Sequence, residues 1–399
     1  MSTSLSALRA EFPLLGRELG GQRIAWLDSA STAPRPRAVL EAVRAYHEQC
    51  SANVHRGVHA LAAEASERFE AARHEVAAFL GVASAEIVFT SGTTEAVNLV
   101  AEGLRLAPGD EVILTRAEHH SNLLPWRRRA TTRVLELGSD GAPRFEGLDE
   151  LFTPSTRLVA VHHASNVLGT IAPLAAIAAQ AHARGVPLFV DGAQGAGHLA
   201  LDLRALDCDF YAFSGHKLGG PSGIGALYAR GDWLERLEPQ RWGGGMVARV
   251  GEHGCELRDG PQRFEAGTPN VEGALGLAAA LAFLQRVGMA RVEAHGRELA
   301  RALLAECARL PGVRLLGPAD AERRIPLVSL ALPGTGLDAE TLARTLSDSC
   351  GVLVSAGRHC AHPLHDACGA EATLRASAWV HNDLEDVERL GAGLRGLVA

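Results

Sequence analysis

Short apolar runs alternate with longer Ala-rich stretches of helical period from Ile24 to about Leu227. Residues 86–90, 111–114, 158–161 and 188–191 are the clearest of these runs, and each closes on polar or glycine-rich residues. Strand-like runs separated by helical stretches predict βαβ units around a mostly parallel sheet. The segment 230–264 has little regular pattern and reads as loop and domain edge, whereas 271–287 is Ala/Leu-rich and predicts a long helix. Beyond it, 290–399 mixes helices with short strands such as 326–330. The expectation is an α/β fold: a large domain over 21–285 with a mostly parallel sheet, and a smaller C-terminal α+β domain over 286–399. The N-terminal segment 1–20 is expected to pack on the smaller domain.

In open α/β sheets, ligand groups gather beyond the carboxyl ends of the strands, so the residues just after the apolar runs are the candidates for chemistry. The run Asp209-Phe210-Tyr211-Ala212-Phe213-Ser214-Gly215-His216-Lys217 puts a lysine there. A desolvated amine reaches its free-base form near neutral pH and condenses with a carbonyl, and pyridoxal phosphate is the carbonyl cofactor that suits it. Taken alone, Lys217 also reads as an ordinary surface lysine. Asp191 closes the run 188–191; a buried carboxylate needs a cationic partner, and a protonated pyridine nitrogen is one that keeps the ring an electron sink. Its alternative is the cap of the next helix. The spacing from Asp191 to Lys217 fits one further helix and strand, which brings both to one crevice.

Other strand ends add to this set. Phe89-Thr90-Ser91-Gly92-Thr93-Thr94-Glu95 is a strand end, a glycine turn and a helix start, suited to a phosphate or to a plain N-cap. Ser214 and His216 offer further phosphate donors. Glu118-His119-His120-Ser121-Asn122 offers an imidazole to stack on the cofactor, without the separated spacing of zinc motifs. Asn166 ends His162-His163-Ala164-Ser165-Asn166, in reach of cofactor or substrate.

A second cluster lies late in the chain. Ser355-Ala356-Gly357-Arg358-His359-Cys360-Ala361-His362-Pro363 follows the apolar run 351–354, and Arg358 and His359 give Cys360 surroundings that favour a thiolate. Cys360, His362, His365 and Cys368 also have spacings loosely like a zinc site. The other cysteines, Cys50, Cys208, Cys255, Cys307, Cys350 and Cys368, have no comparable setting and read as structural. Arg375 carries a planar fork that suits a substrate carboxylate, with a surface salt bridge as its alternative.

Composition narrows the class. At 399 residues, 47% hydrophobic and 21% charged, with 43 glycines, the chain reads as a soluble α/β enzyme. A net charge of -7 argues against nucleic-acid binding. Residues 1–12 lack the apolar core of a secretory signal, and no run is long and apolar enough to predict a membrane span. Seven cysteines, an odd count scattered along the chain, do not form a disulfide framework, so a reducing cytoplasm is expected.

Taken in order, Gly92-Thr93-Thr94-Glu95, Glu118-His119-His120-Ser121-Asn122, Ser165-Asn166-Val167-Leu168-Gly169, Asp191-Gly192-Ala193-Gln194, Ser214-Gly215-His216-Lys217 and Phe264-Glu265-Ala266-Gly267-Thr268-Pro269-Asn270 resemble the class V aminotransferase family. Within it, the chain is similar to SufS-like, group II cysteine desulfurases, from about Glu11 to Gly391. The resemblance implies a pyridoxal-phosphate-dependent transferase of fold type I. Lys217 would be its Schiff-base lysine, Asp191 would sit on the pyridine nitrogen, Gln194 near the phenolic oxygen and His119 on the ring. Phosphate contacts would come from Thr93, Thr94, Ser214 and His216, and from Thr268 across a homodimer interface. Cys360 would accept sulfur from L-cysteine as a persulfide, for iron–sulfur or other sulfur-cofactor assembly through an acceptor protein. Asn166 and Arg375 would hold the substrate, with Arg56 of Ala52-Asn53-Val54-His55-Arg56-Gly57 near the mouth.

The pattern also departs from the family. Group II members commonly read Arg-x-Gly-His-His-Cys before the nucleophile, whereas Ser355 stands at the arginine position and Arg358 at the first histidine. Alternatives on the same scaffold are a selenocysteine lyase, a cysteine sulfinate desulfinase or another class V lyase. A non-catalytic or zinc-bound scaffold for a sulfur carrier is a different class.

Overall fold

A computed structural model of the chain describes residues 5–333, 336 and 338–398; the first four residues of the N-terminal segment and residues 334, 335, 337 and 399 of the C-terminal region lie outside it. Its main sheet has seven strands: β1 (Ile87–Thr90), β2 (Glu111–Thr115), β3 (Thr131–Leu135), β4 (Thr156–His162), β5 (Leu188–Asp191), β6 (Phe210–Ser214) and β7 (Gly225–Ala229). Every residue of β1, β5, β6 and β7 is buried, as strands covered by helices on both faces require. The order across the sheet is β1-β7-β6-β5-β4-β2-β3. β3, β2, β4, β5 and β6 run parallel, and β7 runs antiparallel to both its neighbours. Register aligns His162 with Asp191 and Asp191 with Ala212, so the carboxyl ends form one edge. β7 brings the end of β1 to the end of β6 by opposing Gly225 to both Thr90 and Ser214. A Cβ at Gly225 would stand 2.7 Å from Gly92 Cα, so the close approach needs glycine there.

The C-terminal region builds a second sheet from β8 (Arg314–Leu315), β9 (Leu327–Ala331), β10 (Ser355–Gly357) and β11 (Thr373–Ser377), antiparallel in the order β8-β9-β11-β10. Helices Met289–Cys307, Ala339–Cys350 and Leu384–Val398 bury Leu299, Leu303, Leu342, Leu346, Leu390 and Leu394 in one apolar cluster with it. The long helix expected from the Ala/Leu run is Val271–Val287. Phe12 lies buried against Phe283 of that helix (5.6 Å between ring centroids) and against Trp379 (5.9 Å), and Arg9 reaches Asp386 at 3.8 Å. The N-terminal segment therefore touches both the long helix and the C-terminal region.

The segment read as loop, 230–264, holds a short helix, Trp233–Arg236, and a hairpin of Val247–Val250 with Cys255–Leu257. The hairpin strands are mostly exposed, so no apolar alternation marks them. Of the apolar run 351–354, only Val352–Leu353 forms a strand. Val352–Leu353 pairs in parallel with Ala25–Trp26, and the chain then crosses to the second sheet at Ser355.

Candidate active site

The carboxyl edge of the main sheet and the Cys360 loop enclose a cavity of about 440 Å³. Thr93, Thr94, His119, Asn166, Asp191, Gln194, Ser214, His216, Lys217, Cys360 and Arg375 all line it. Lys217 follows β6 in a single helical turn, Gly215–Lys217. Burial lowers its pKa, opposed by Asp191, reinforced by Arg375 and opposed again by Cys360. The amine is thus pressed towards its free-base form while lying within electrostatic reach of the carboxylate, the guanidinium and the thiol. Asp191 at the end of β5 accepts a hydrogen bond from Ala193 N–H at 2.9 Å. Burial raises its pKa, against the pull of Lys217, and no cation lies within 4 Å of it among the described residues. Gly192 lets the chain turn at this point, since a Cβ would meet the Tyr211 ring at 2.1 Å.

His119 caps the turn His120–Asn122 by accepting the Ser121 N–H on Nδ1 at 3.1 Å, which leaves Nε2 as the protonated nitrogen of a neutral ring. Burial, then Lys217, pushes its pKa down to about 3, so the ring stays neutral. Beneath it, Glu118 accepts from Thr115, Asn122 and the His162 backbone, and pairs with His162 Nδ1 at 2.8 Å. This buried carboxylate–imidazole pair was not singled out from the sequence; its signal was the strand-end His162 facing Glu118 from the neighbouring strand's loop.

At the start of the eleven-residue helix Thr93–Gly103, Thr93 N–H donates to Ser214 Oγ at 2.9 Å, and the two hydroxyls lie 2.9 Å apart. Thr94 shares a hydrogen bond with Ser121 at 2.7 Å. A Cβ at Gly92 would fill this cradle, 2.9 Å from Ser214 Oγ. Gln194 is pinned by its Nε2–H to Ala30 O at 2.8 Å.

The opposite wall comes from the C-terminal region. Arg375 on β11 is buried; its Nη1 donates to Asn166 O (3.0 Å), its Nη2 to Ser31 Oγ (2.7 Å), and Asp28 lies at 3.5 Å. Burial lowers the arginine's pKa and Asp28 opposes this. Ser31 and Asp28 were not anticipated. They lie after the apolar run 24–27 at a strand end, the same signal that marked the other candidates. Asn166 is doubly used, since its Nδ2 also donates to His359 O at 2.8 Å. His359 and Cys360 are consecutive non-glycine residues at φ 46° and 53°, the left-handed region that costs such residues free energy. Cys360 is exposed at the cavity mouth.

A family model described as aminotransferase class-V matches residues 25–390. The chain belongs to the class V aminotransferase family. It is 43% identical to a cysteine desulfurase of Enterobacter sp. (strain 638) over 99% of this chain and 98% of the relative. It superposes on the apo structure of a cysteine desulfurase from Thermococcus onnurineus NA1 with TM-score 0.93, at 37% identity over 98% and 97% of the two chains. A C-DES mutant with glycine covalently linked to its PLP cofactor matches with TM-score 0.85, at 26% identity over 98% and 99%.

This class V chain differs from the electropositive setting expected of its cysteine loop. Arg358 is turned away from the cavity into an ion pair with Asp366, and burial, then Arg375, pushes His359 down to about 3 and leaves it neutral. The cations that feel Cys360 are instead Lys217 and Arg375. Ser355 lines the cavity and opposes Arg375 directly in the β10–β11 ladder, whereas Arg358 does not line it. The zinc-like spacing does not close either. His365 bonds to Ala361 O and Thr373 Oγ1, and no group of three metal-ligating side chains gathers among the described residues.

Two candidates lie outside the cavity in the single chain. Thr268 is exposed on a loop anchored by Glu265, which pairs with buried Arg73 at 2.6 Å, and by Asn270, whose Nδ2 donates to Gly223 O and whose Oδ1 accepts from Gly273 N–H. Arg56 is exposed and lines a separate groove with Gly245, Glu265 and Gly267.

Proposed function

We propose that the chain is a pyridoxal-phosphate-dependent cysteine desulfurase that converts L-cysteine to L-alanine and stores the sulfur as a persulfide on Cys360. The observation that carries this reading is a single cavity lined by a half-buried lysine, a buried carboxylate, one guanidinium and an exposed thiol. The donor set fits the cofactor: a buried carboxylate without a close cation suits a pyridine nitrogen, and the Gly92–Thr93–Ser214 cradle suits a phosphate. Lys217 would hold the cofactor's carbonyl carbon, Asp191 its ring nitrogen, Gln194 its phenolic oxygen and His119 its ring face. Thr93, Thr94, Ser214 and His216 would hold its phosphate. When bound, the cofactor supplies an electron sink for charge at the substrate's α-carbon.

Arg375 and Asn166 orient the substrate carboxylate, the arginine through its planar fork. Lys217, whose pKa burial lowers, moves the α-proton. The Cys360 thiolate attacks the substrate sulfur, the carbon–sulfur bond breaks, and the carbon takes up a proton to give alanine. Sulfur is oxidised and carbon reduced in the same step, so no outside oxidant enters. His359 and Asn166 hold the loop that presents Cys360.

Exposed Thr268 and Arg56 suit a homodimer in which each copy completes its partner's site. The division into a large unit over 21–285 and a small one over 286–399 sets the cavity at their junction. Seven unpaired cysteines suit a reducing cytoplasm, and no single helix among the described residues is long and apolar enough to cross a membrane. Iron–sulfur assembly is the expected use of the sulfur. The test is the visible spectrum of the purified protein before and after L-cysteine, with alanine and sulfane sulfur measured in the same tube. A band that shifts as both products appear together is the expected result; a band unmoved by cysteine overturns the substrate assignment.

A further inference from the structure

The pair of Glu118 and His162 takes no direct part in holding substrate or moving sulfur, yet it shares a strand edge with Asp191. Glu118 follows β2, His162 closes β4 and Asp191 closes β5, and these three strands are adjacent in the sheet. Register sets His162 directly beside Asp191, and paired residues of neighbouring strands project to the same face. Glu118 is 1% exposed and has no lysine or arginine within 4 Å among the described residues. Its Oε1 accepts from Thr115 Oγ1 (2.6 Å) and the His162 backbone N–H (3.2 Å), and its Oε2 from Asn122 Nδ2 (2.7 Å). Trp126 Nε1 donates to Asn122 Oδ1 at 2.9 Å, which turns the amide nitrogen towards Glu118. A carboxylate accepts on both oxygens, so His162 Nδ1 carries its hydrogen in the 2.8 Å bond to Oε1. Nε2 is then the ring atom that gains or loses a proton, and the ring lines the cavity. Burial opposes a proton there, but Glu118 outweighs it and Asp191 adds to Glu118, so the pKa of His162 is raised. The other titratable groups beside this row, His163 and Tyr211, bond to each other at 2.9 Å and stay neutral.

We propose that His162 is a positioning residue: as an imidazolium between Glu118 and Asp191, it keeps Asp191 a carboxylate and thereby keeps the cofactor's ring nitrogen protonated. The inference rests on the pyridoxal-phosphate reading and deepens it. Without a positive charge on His162, Glu118 and Asp191 would be like charges in one dry row, and Asp191 would relieve the repulsion by taking up a proton. A neutral carboxylic acid does not hold a protonated ring nitrogen, and the ring then weakens as an electron sink. His162 stands more than 4 Å from Asp191, so it acts by charge without occupying the oxygen that would meet the ring.

Two cofactors separate this role from packing. Apoprotein of the wild type and of His162→Asn, which retains a donor towards Glu118 but no charge, is titrated with pyridoxal phosphate and with its deaza analogue. The analogue has carbon in place of the ring nitrogen and holds no proton there. His162→Asn should weaken pyridoxal phosphate about tenfold, read by fluorescence, and leave binding of the deaza analogue unchanged. With cofactor isotopically labelled at the ring nitrogen, the nitrogen resonance should sit at the protonated position in wild-type holoenzyme and move towards the unprotonated position in the variant. His162→Gln, which fills more of the ring's space, should behave alike, and circular dichroism identifies the folded variants. Wild-type holoenzyme needs no substitution: both ring nitrogens of His162 should be protonated near neutral pH. Equal loss of both cofactors in a folded variant, an unmoved ring-nitrogen resonance, or a neutral His162 ring in the wild type overturns the proposal. A covalent absorbance band with pyridoxal phosphate would in each case leave the cofactor reading standing. Failure of wild-type apoprotein to form that band overturns the cofactor reading itself.

Discussion

The two walls of the cavity are built differently. The sheet wall presents Asp191, Lys217, His119 and Ser214 from strand ends and short turns, the first and last buried and the other two half-buried, held by neighbouring strands or backbone amides. The loop wall presents Cys360 exposed, in a left-handed turn, tied down by Asn166 and by the His120 backbone. Proton movement at a carbon next to an electron sink needs fixed, dry electrostatics. Handing sulfur to a second molecule needs access. The contrast assigns the proton half of the reaction to one wall and the sulfur half to the other.

The largest effects come from removing one member of each wall. Lys217→Ala should cut alanine formation to below about one-thousandth of wild type and remove the covalent absorbance band. Cys360→Ala should cut alanine formation by a comparable factor, yet keep the band and keep exchanging the α-proton of cysteine with deuterated water, read by mass spectrometry. If Cys360→Ala also stops the exchange, the two walls do not divide the reaction.

A smaller effect tests how dry the sheet wall is. Burial pushes His119 and His163 to about 3, well below the usual 6.5. Both should remain neutral from about pH 8 down to about pH 5, as imidazole nitrogen shifts would record. Because the unfolded chain binds protons that the folded rings refuse, their share of stability is full above pH 6.5. It falls as pH drops from there towards about 3. A titration midpoint near 6.5 for His119 would put water on the sheet wall and erase the contrast.

The sheet wall was the more legible in sequence, for a local reason. Continuous apolar runs close on Asp191, on Thr93 and on the segment leading to Lys217, and a parallel sheet aligns such ends on one edge. The loop wall was less legible because its geometry depends on distant partners. Arg358 near Cys360 in sequence suggests an activating cation, but Asp366, eight residues further on, captures it. The run 351–354 reads as strand-like, but only Val352–Leu353 pairs, with Ala25–Trp26 near the other end of the chain, and the chain then joins β11 from Ser355 onwards. Ser31 enters the site for the same kind of reason, through the bridge of Asp28 to Ser377 on β11.

That contact gives the finest test. Arg375 has Nη1 engaged by Asn166 O and Nη2 by Ser31 Oγ, while Ser31 also donates to Asp28 at 2.7 Å. The serine therefore relays a carboxylate's pull to the arginine and sets the plane of its fork before substrate arrives. A hydrogen bond to a charged group contributes about 1.5–3 kcal/mol at most, and Asp28 at 3.5 Å remains to hold the guanidinium in its absence. Ser31→Ala should accordingly raise KM for L-cysteine about fivefold and leave kcat unchanged, because Ser31 positions the carboxylate site and touches neither the α-proton nor the sulfur. A fall in kcat at constant KM would instead place Ser31 in the chemical step, and the carboxylate site would then belong to the reacting machinery of both walls.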